Sequence, residues 1–129
     1  MVSQRDDFVE AEALLRRVLK IEETILGPEH PEVAADLAAL GSLLLTTGEL
    51  DEARQLTTRA VQIYLHLGKR LRRIHPHLPS ALLLLSDIKR AQGESEDEIA
   101  AEERAFLGAE SPKRERPVIA PRRQSRPGR

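Results

Sequence analysis

The chain repeats itself, and that repetition limits what it can fold into more than any other feature. Phe8-Val-Glu-Ala-Glu-Ala-Leu-Leu aligns with Leu50-Asp-Glu-Ala-Arg-Gln-Leu-Thr at a spacing of 42. In that register Ala11 meets Ala53, Leu14 meets Leu56, Val18 meets Ala60, Ile21 meets Ile63 and Ile25 meets Leu67. Further on the offset becomes 45: His30-Pro31 meets His75-Pro76, Val33 meets Leu78, Leu37 meets Leu82, Leu40 meets Leu85 and Gly48 meets Gly93. The three extra residues are expected in the turn that contains Gly68 to Ile74. A third, degenerate copy starts at Glu94. A period of this length means that one small supersecondary unit is stacked on copies of itself.

Each unit reads as helix, turn, helix. Leu14, Val18, Ile21 and Ile25 are spaced 4, 3 and 4, which predicts one apolar stripe on a helix over about residues 5–26. Leu26-Gly-Pro-Glu-His-Pro is dense in breakers and ends it. Pro31 then falls in a first helical turn, where proline is tolerated, and Val33, Leu37, Leu40 and Leu44 form the next stripe up to Gly48. The pattern returns as Ala53, Leu56, Ala60, Ile63 and Leu67, and then as Leu78, Leu82 and Leu85. Ser95-Glu-Asp-Glu98 has capping-box spacing and predicts a fifth helix to about Leu107. No alternating run suggests a strand. The expectation is an all-α, short α-solenoid of stacked antiparallel helix pairs over residues 1–110, with units of about 7–48, 49–93 and 94–108. An ordinary antiparallel bundle satisfies the same periodicity, but the recurring breaker string and the long period favour the solenoid. One hairpin cannot cover its own stripe, so the seam between hairpins becomes the core, with Ala11, Ala34, Ala38, Gly41, Ala53 and Ala60 letting backbones approach.

Composition narrows the function. Only Phe8, Tyr64 and Phe106 are aromatic, which argues against sandwiches, barrels and base-stacking platforms. Without cysteine there is no disulfide, thiolate metal site or thiol catalysis. The longest apolar run, Ala81–Leu85, is far short of the roughly 20 residues of a membrane span, and the N-terminus lacks a signal-peptide core. A cytoplasmic protein with no membrane partner is the expectation. The net charge of −1 hides an asymmetry: residues 111–129 hold seven cations against one anion, a net of +6, which leaves −7 on residues 1–110. That basic tail, rich in Pro and Arg, is expected to be disordered. Binding of nucleic acid or another anionic surface through it is a competing function, weakened by the scarcity of aromatic residues.

The string Ile25-Leu-Gly-Pro-Glu-His-Pro-Glu-Val-Ala34, with Phe8-Val-Glu-Ala-Glu before it and Leu37-Ala-Ala-Leu40 and Thr47-Gly48 after it, closely resembles the tetratricopeptide repeat of kinesin light chain type. The resemblance covers about residues 7–93 well and 94–108 weakly. It implies a right-handed superhelix whose concave wall holds peptides or proteins, with no enzymatic activity and no cofactor. Members with light-chain character carry Leu-Asn-Asn-Leu on the first helix of each hairpin, where the asparagines hold a peptide backbone. This chain has Leu37-Ala38-Ala39-Leu40 and Leu82-Leu83-Leu84-Leu85 there, and no asparagine anywhere. An apolar replacement suits packing against another helix.

The expected partner-binding wall is therefore Leu37, Leu40 and Leu44 of one unit with Leu82 and Leu85 of the next. Lys69, Arg70, Arg72 and Arg73 form the densest basic run of the folded part, at the end of the third helix. They oppose the helix dipole there, and Arg72 and Arg73 can offer forked donors to an acidic peptide or phosphate. His75-Pro-His77, with His66 nearby, lacks the spacing of a zinc pair; a turn-stabilising role explains the shared His-Pro position better. No glycine-rich phosphate loop, Gly-x-Ser-x-Gly elbow or Ser/His/Asp set appears. The chain opens on what matches the second helix of a unit and holds about two and a half units. Some apolar surface is thus expected to stay open: the chain forms a homo-oligomer, docks on a larger partner, or is a piece of a longer array.

Overall fold

The computed structural model describes residues 4–110, with side chains from 5 to 108. The basic segment 111–129 and its expected disorder lie outside the described residues. Among the described residues the chain forms five α-helices and no strand: α1 (Gln4–Leu26), α2 (Pro31–Thr47), α3 (Leu50–Leu71), α4 (Leu78–Ala91) and α5 (Glu96–Glu110). The turns between them hold two to six residues, which folds successive helices back on one another as helical hairpins. The all-α α-solenoid reading holds.

The helix ends follow from local chemistry. The His30 ring nitrogen Nδ1 accepts the backbone N–H of Glu32 at 3.0 Å, ahead of Pro31, and His75 Nδ1 accepts from His77 at 3.1 Å. Both histidines thus act as the turn-stabilising acceptors that their shared repeat position suggested. Ser95 and Glu98 cap each other reciprocally at the start of α5, as a capping box requires. Left-handed residues follow all four of the first helices: Gly27, Gly48 and Gly93, but Arg72 after α3, with φ 61°. Arg72 occupies the position that Gly27 holds one unit earlier. The three extra residues are not in the turn as expected; they lengthen α3 to Leu71, whereas its counterpart α1 ends at Leu26. The helix α4 also starts at Leu78, two residues past Pro76, with Pro79 in its first turn.

The core lies between α2, α3 and α4. Val33, Ala34, Leu37, Leu40 and Leu44 of α2 are fully covered, as are Ala53, Ala60 and Val61 of α3 and Ile88 of α4. Gly41 allows the closest approach of α2 and α3: a Cβ there would fall inside the Thr57 hydroxyl and 3.4 Å from the Ala53 carbonyl. Charged pairs then link the odd-numbered helices across the array. Arg16 of α1 grips Glu52 of α3 through both guanidinium nitrogens at 2.8 Å, and Arg59 of α3 reaches Glu23 of α1. Arg54 of α3 meets Glu94 at 2.6 Å and Glu102 of α5 at 3.0 Å, and the buried Lys89 ammonium joins Glu102 at 2.9 Å. The Lys89 contact holds the Glu102 carboxyl below its usual range.

One stripe lies on the outside. Leu14, Val18, Ile21 and Ile25 are 52%, 40%, 54% and 73% exposed. Only Leu19 of α1 enters the buried core, with Leu15 packed against it. The face of α1 turned to α2 is thus the adjacent one, and the longer periodic stripe is left in solvent.

Candidate docking groove

Five expected site residues change meaning in the folded chain. Leu37, Leu40 and Leu44 are completely buried and Leu85 is nearly so; they are seam and not wall, because α2 is enclosed by α1, α3 and α4. They have no surface left to offer a partner. Arg70 is exposed but points away from the cavity that its neighbours line. The remaining candidates, Lys69, Arg72, Arg73 and Leu82, come together in one place.

That place is an open groove of about 1070 Å³ between the end of α3, the turn to α4, the outer face of α4 and the second half of α5. Its floor and walls include Ile74, Leu78, Pro79, Leu82, Leu83 and Leu107. Leu83 is 62% exposed and Ile74 74% exposed, a high cost in water for aliphatic groups of this size. Lys69, Arg72 and Arg73 line the α3 edge, and Glu103 stands on the α5 wall. Five other cations of the helical body, Arg16, Arg54, Arg59, Lys89 and Arg90, have carboxylate partners. Lys69, Arg70, Arg72 and Arg73 have none among the described residues.

The turn that presents these cations is built on rings. Tyr64 is buried, and its ring stacks on His75 with centroids 4.5 Å apart and planes 27° apart; His77 lies 6.1 Å from Tyr64. Burial, with His77 and Arg73 nearby, pushes the His75 pKa down, which keeps its Nδ1 lone pair available to the His77 backbone. Burial, together with Glu32 and Asp36, likewise raises the Tyr64 hydroxyl. The extra turn of α3 and the left-handed backbone at Arg72 carry the cationic run past this stack to the mouth of the groove. Leu83 and Ile74 were not among the expected site residues. The Leu82–Leu85 run was the available signal, since four consecutive leucines on one helix cannot all face inward.

Among the described residues no three His, Asp or Glu side chains gather as a metal would require, and no helix is long and apolar enough to cross a membrane. The arrangement sets an apolar floor beside positive charge that has no ion-pair partner among the described residues. Stacked hairpins that leave such a groove define a helical-repeat scaffold. A family model described as tetratricopeptide repeat matches residues 2–66, and the chain belongs to that family. No curated protein matches it.

Proposed function

We propose that this chain is a non-enzymatic protein-interaction module, cytoplasmic and without a cofactor, which holds an acidic, apolar segment of a protein partner in the α3–α4–α5 groove. Lys69, Arg72 and Arg73 steer the segment, and Leu82 and Leu83 cover its apolar side. The observation that carries this reading is the coincidence, at one groove, of unpaired cations and a large exposed aliphatic floor. Exposed apolar surface of this kind marks association, and free charge at its rim sets on-rate and specificity. The paired use of His30 and His75 as turn acceptors supports a light-chain-like subtype of the repeat. The test is fluorescence anisotropy with a labelled helical peptide that carries leucines on one face and glutamates beside them. Binding that weakens as salt is raised, and that falls about tenfold or more in Arg72→Glu/Arg73→Glu, is expected. Equal binding of a lysine-flanked peptide, or no loss in the variant, overturns the reading.

A further inference from the structure

The described residues expose two large apolar faces, at the two ends of the helix order, and the faces differ in charge. At one end is the α3–α4–α5 groove with its cationic edge. At the other is the α1 stripe of Leu14, Val18, Ile21 and Ile25, which runs about 16 Å along the helix at a rise of about 1.5 Å per residue. Its 4-3-4 spacing is the pitch at which one helix lies along another. The stripe is headed by Asp7 on its own line and by Glu10 on its flank, both exposed and without an ion pair among the described residues. Arg17 sits on the same flank, exposed and likewise unpaired. The α1 helix is therefore an amphipathic helix with an acidic head, which is the chemistry the groove calls for.

We infer that the occupant of the groove is α1 of a second copy of this chain. The stripe lies on Leu82, Leu83, Ile74 and Leu107, Asp7 and Glu10 face the Lys69, Arg72 and Arg73 edge, and Arg17 turns to the Glu103 wall. A chain cannot fill its own groove this way, because its α1 is fastened at the far end of the array by α2 and by the Arg16–Glu52 and Arg59–Glu23 pairs. The contact is head to tail and not two-fold symmetric, so each bound copy still presents one free stripe and one free groove. Such contacts grow into open assemblies. A helix of this length laid in a groove covers about 600 Å² per partner, at the low end of specific interfaces, so self-association of about micromolar strength is expected.

This inference rests on the groove being a docking site, and the experiment separates the two claims. Sedimentation velocity of the full chain over about a hundredfold range of concentration is expected to show the mean mass rising steadily beyond a dimer. Leu14→Glu/Ile21→Glu disables the stripe, and Leu83→Glu/Arg73→Glu disables the groove; each variant alone is expected to be monomeric. Mixed, they retain one good stripe and one good groove between them, and a one-to-one complex that grows no further is expected. A second set alters surface charge only, so that folding is not at issue. Asp7→Arg/Glu10→Arg is expected to weaken assembly about tenfold, and mixing it with Lys69→Glu/Arg73→Glu to restore the contact. A groove variant that dimerises like the parent, a mixture that stays monomeric, or a parent that is monomeric throughout overturns the inference. If that monomeric parent binds the acidic helical peptide, the docking reading survives and the occupant is another protein; if it does not, both fall.

Discussion

The helices α1 and α3 occupy the same place in successive repeats and meet opposite fates. Ile21 corresponds to Ile63 and Val18 to Ala60, yet Ile21 and Val18 are 54% and 40% exposed while Ile63 and Ala60 are 2% and 0%. The difference lies in the neighbours. The helix α3 is enclosed by α2 on one side and α4 on the other, whereas α1 packs mainly on α2 and reaches α3 through the Arg16–Glu52 and Arg59–Glu23 ion pairs. Apolar spacing measures how much surface a helix must hide; neighbours decide whether it is hidden. A second contrast follows at the inner faces. Tyr64 of α3 lies one repeat after Glu22 of α1, and Ala81 of α4 lies one repeat after Asp36 of α2. Where the second unit buries a ring and a methyl group, the first sets two carboxyl groups together. Glu22 Oε1 and Asp36 Oδ2 are both shut away from water without a partner, an arrangement satisfied when one proton is shared between them. Burial, the Glu22 carboxyl as hydrogen-bond partner and charge, and Glu32 raise the Asp36 pKa to about 7.

The sharpest way to break the comparison is to truncate both isoleucines. Ile63→Ala removes buried contacts on two sides and is expected to lower unfolding free energy by about 3 kcal/mol. Ile21→Ala should change it by less than about 0.5 kcal/mol, as exposed substitutions usually do. Urea titration on the monomer reads both, and equal losses would mean that α1 is covered after all. The acid pair gives an intermediate effect. The native chain keeps a proton on Asp36 that the unfolded chain releases near pH 4, so the contribution of this pair to stability is fully present below that pH and declines as pH rises to about 7. Asp36→Asn keeps a donor opposite Glu22 and should flatten that decline, leaving the variant more stable than the parent near pH 8 by about 1 kcal/mol after solvent screening. Melting curves at several pH values decide it, and a parallel decline in both proteins removes Asp36 from the account. The smallest effect concerns the turn ends. Arg72 holds the left-handed conformation that glycine holds at its repeat position, Gly27. Arg72→Gly should relieve the side-chain strain and stabilise by about 0.5 kcal/mol net of glycine's greater chain entropy. It should also weaken peptide binding, since a donor leaves the groove. A destabilised variant would show that the Arg72 side chain contributes to the fold.

Much of the architecture was legible in the residues. The His30-Pro31 cap, the Ser95–Glu98 box, Gly48 and the apolar periods located the helices, because each works through neighbours a few positions away in the chain. Gly41 at the α2–α3 seam was legible too, since only a missing side chain admits so close an approach. The groove was half legible: Lys69, Arg72, Arg73 and Leu82 were found, but Leu37, Leu40, Leu44 and Leu85 were placed on a wall and belong to the core. A leucine repeating every three or four positions has the same signature whether its face meets a partner or a sister helix. Leu83, beside the seam of α4 where apolar surface was expected to stay open, is 62% exposed, whereas Ile74 was not foreseen because it lies in the turn outside any stripe.

The residues alone determined that this chain is helical, where its turns fall and which faces resist water, since propensity, capping and period all act over one or two helical turns. Only the tertiary arrangement decided which of those faces is covered. Burial depends on how many helices flank a given stripe, and that count is a property of the stack: two for α3, one for α1, and an open side where α3, α4 and α5 meet.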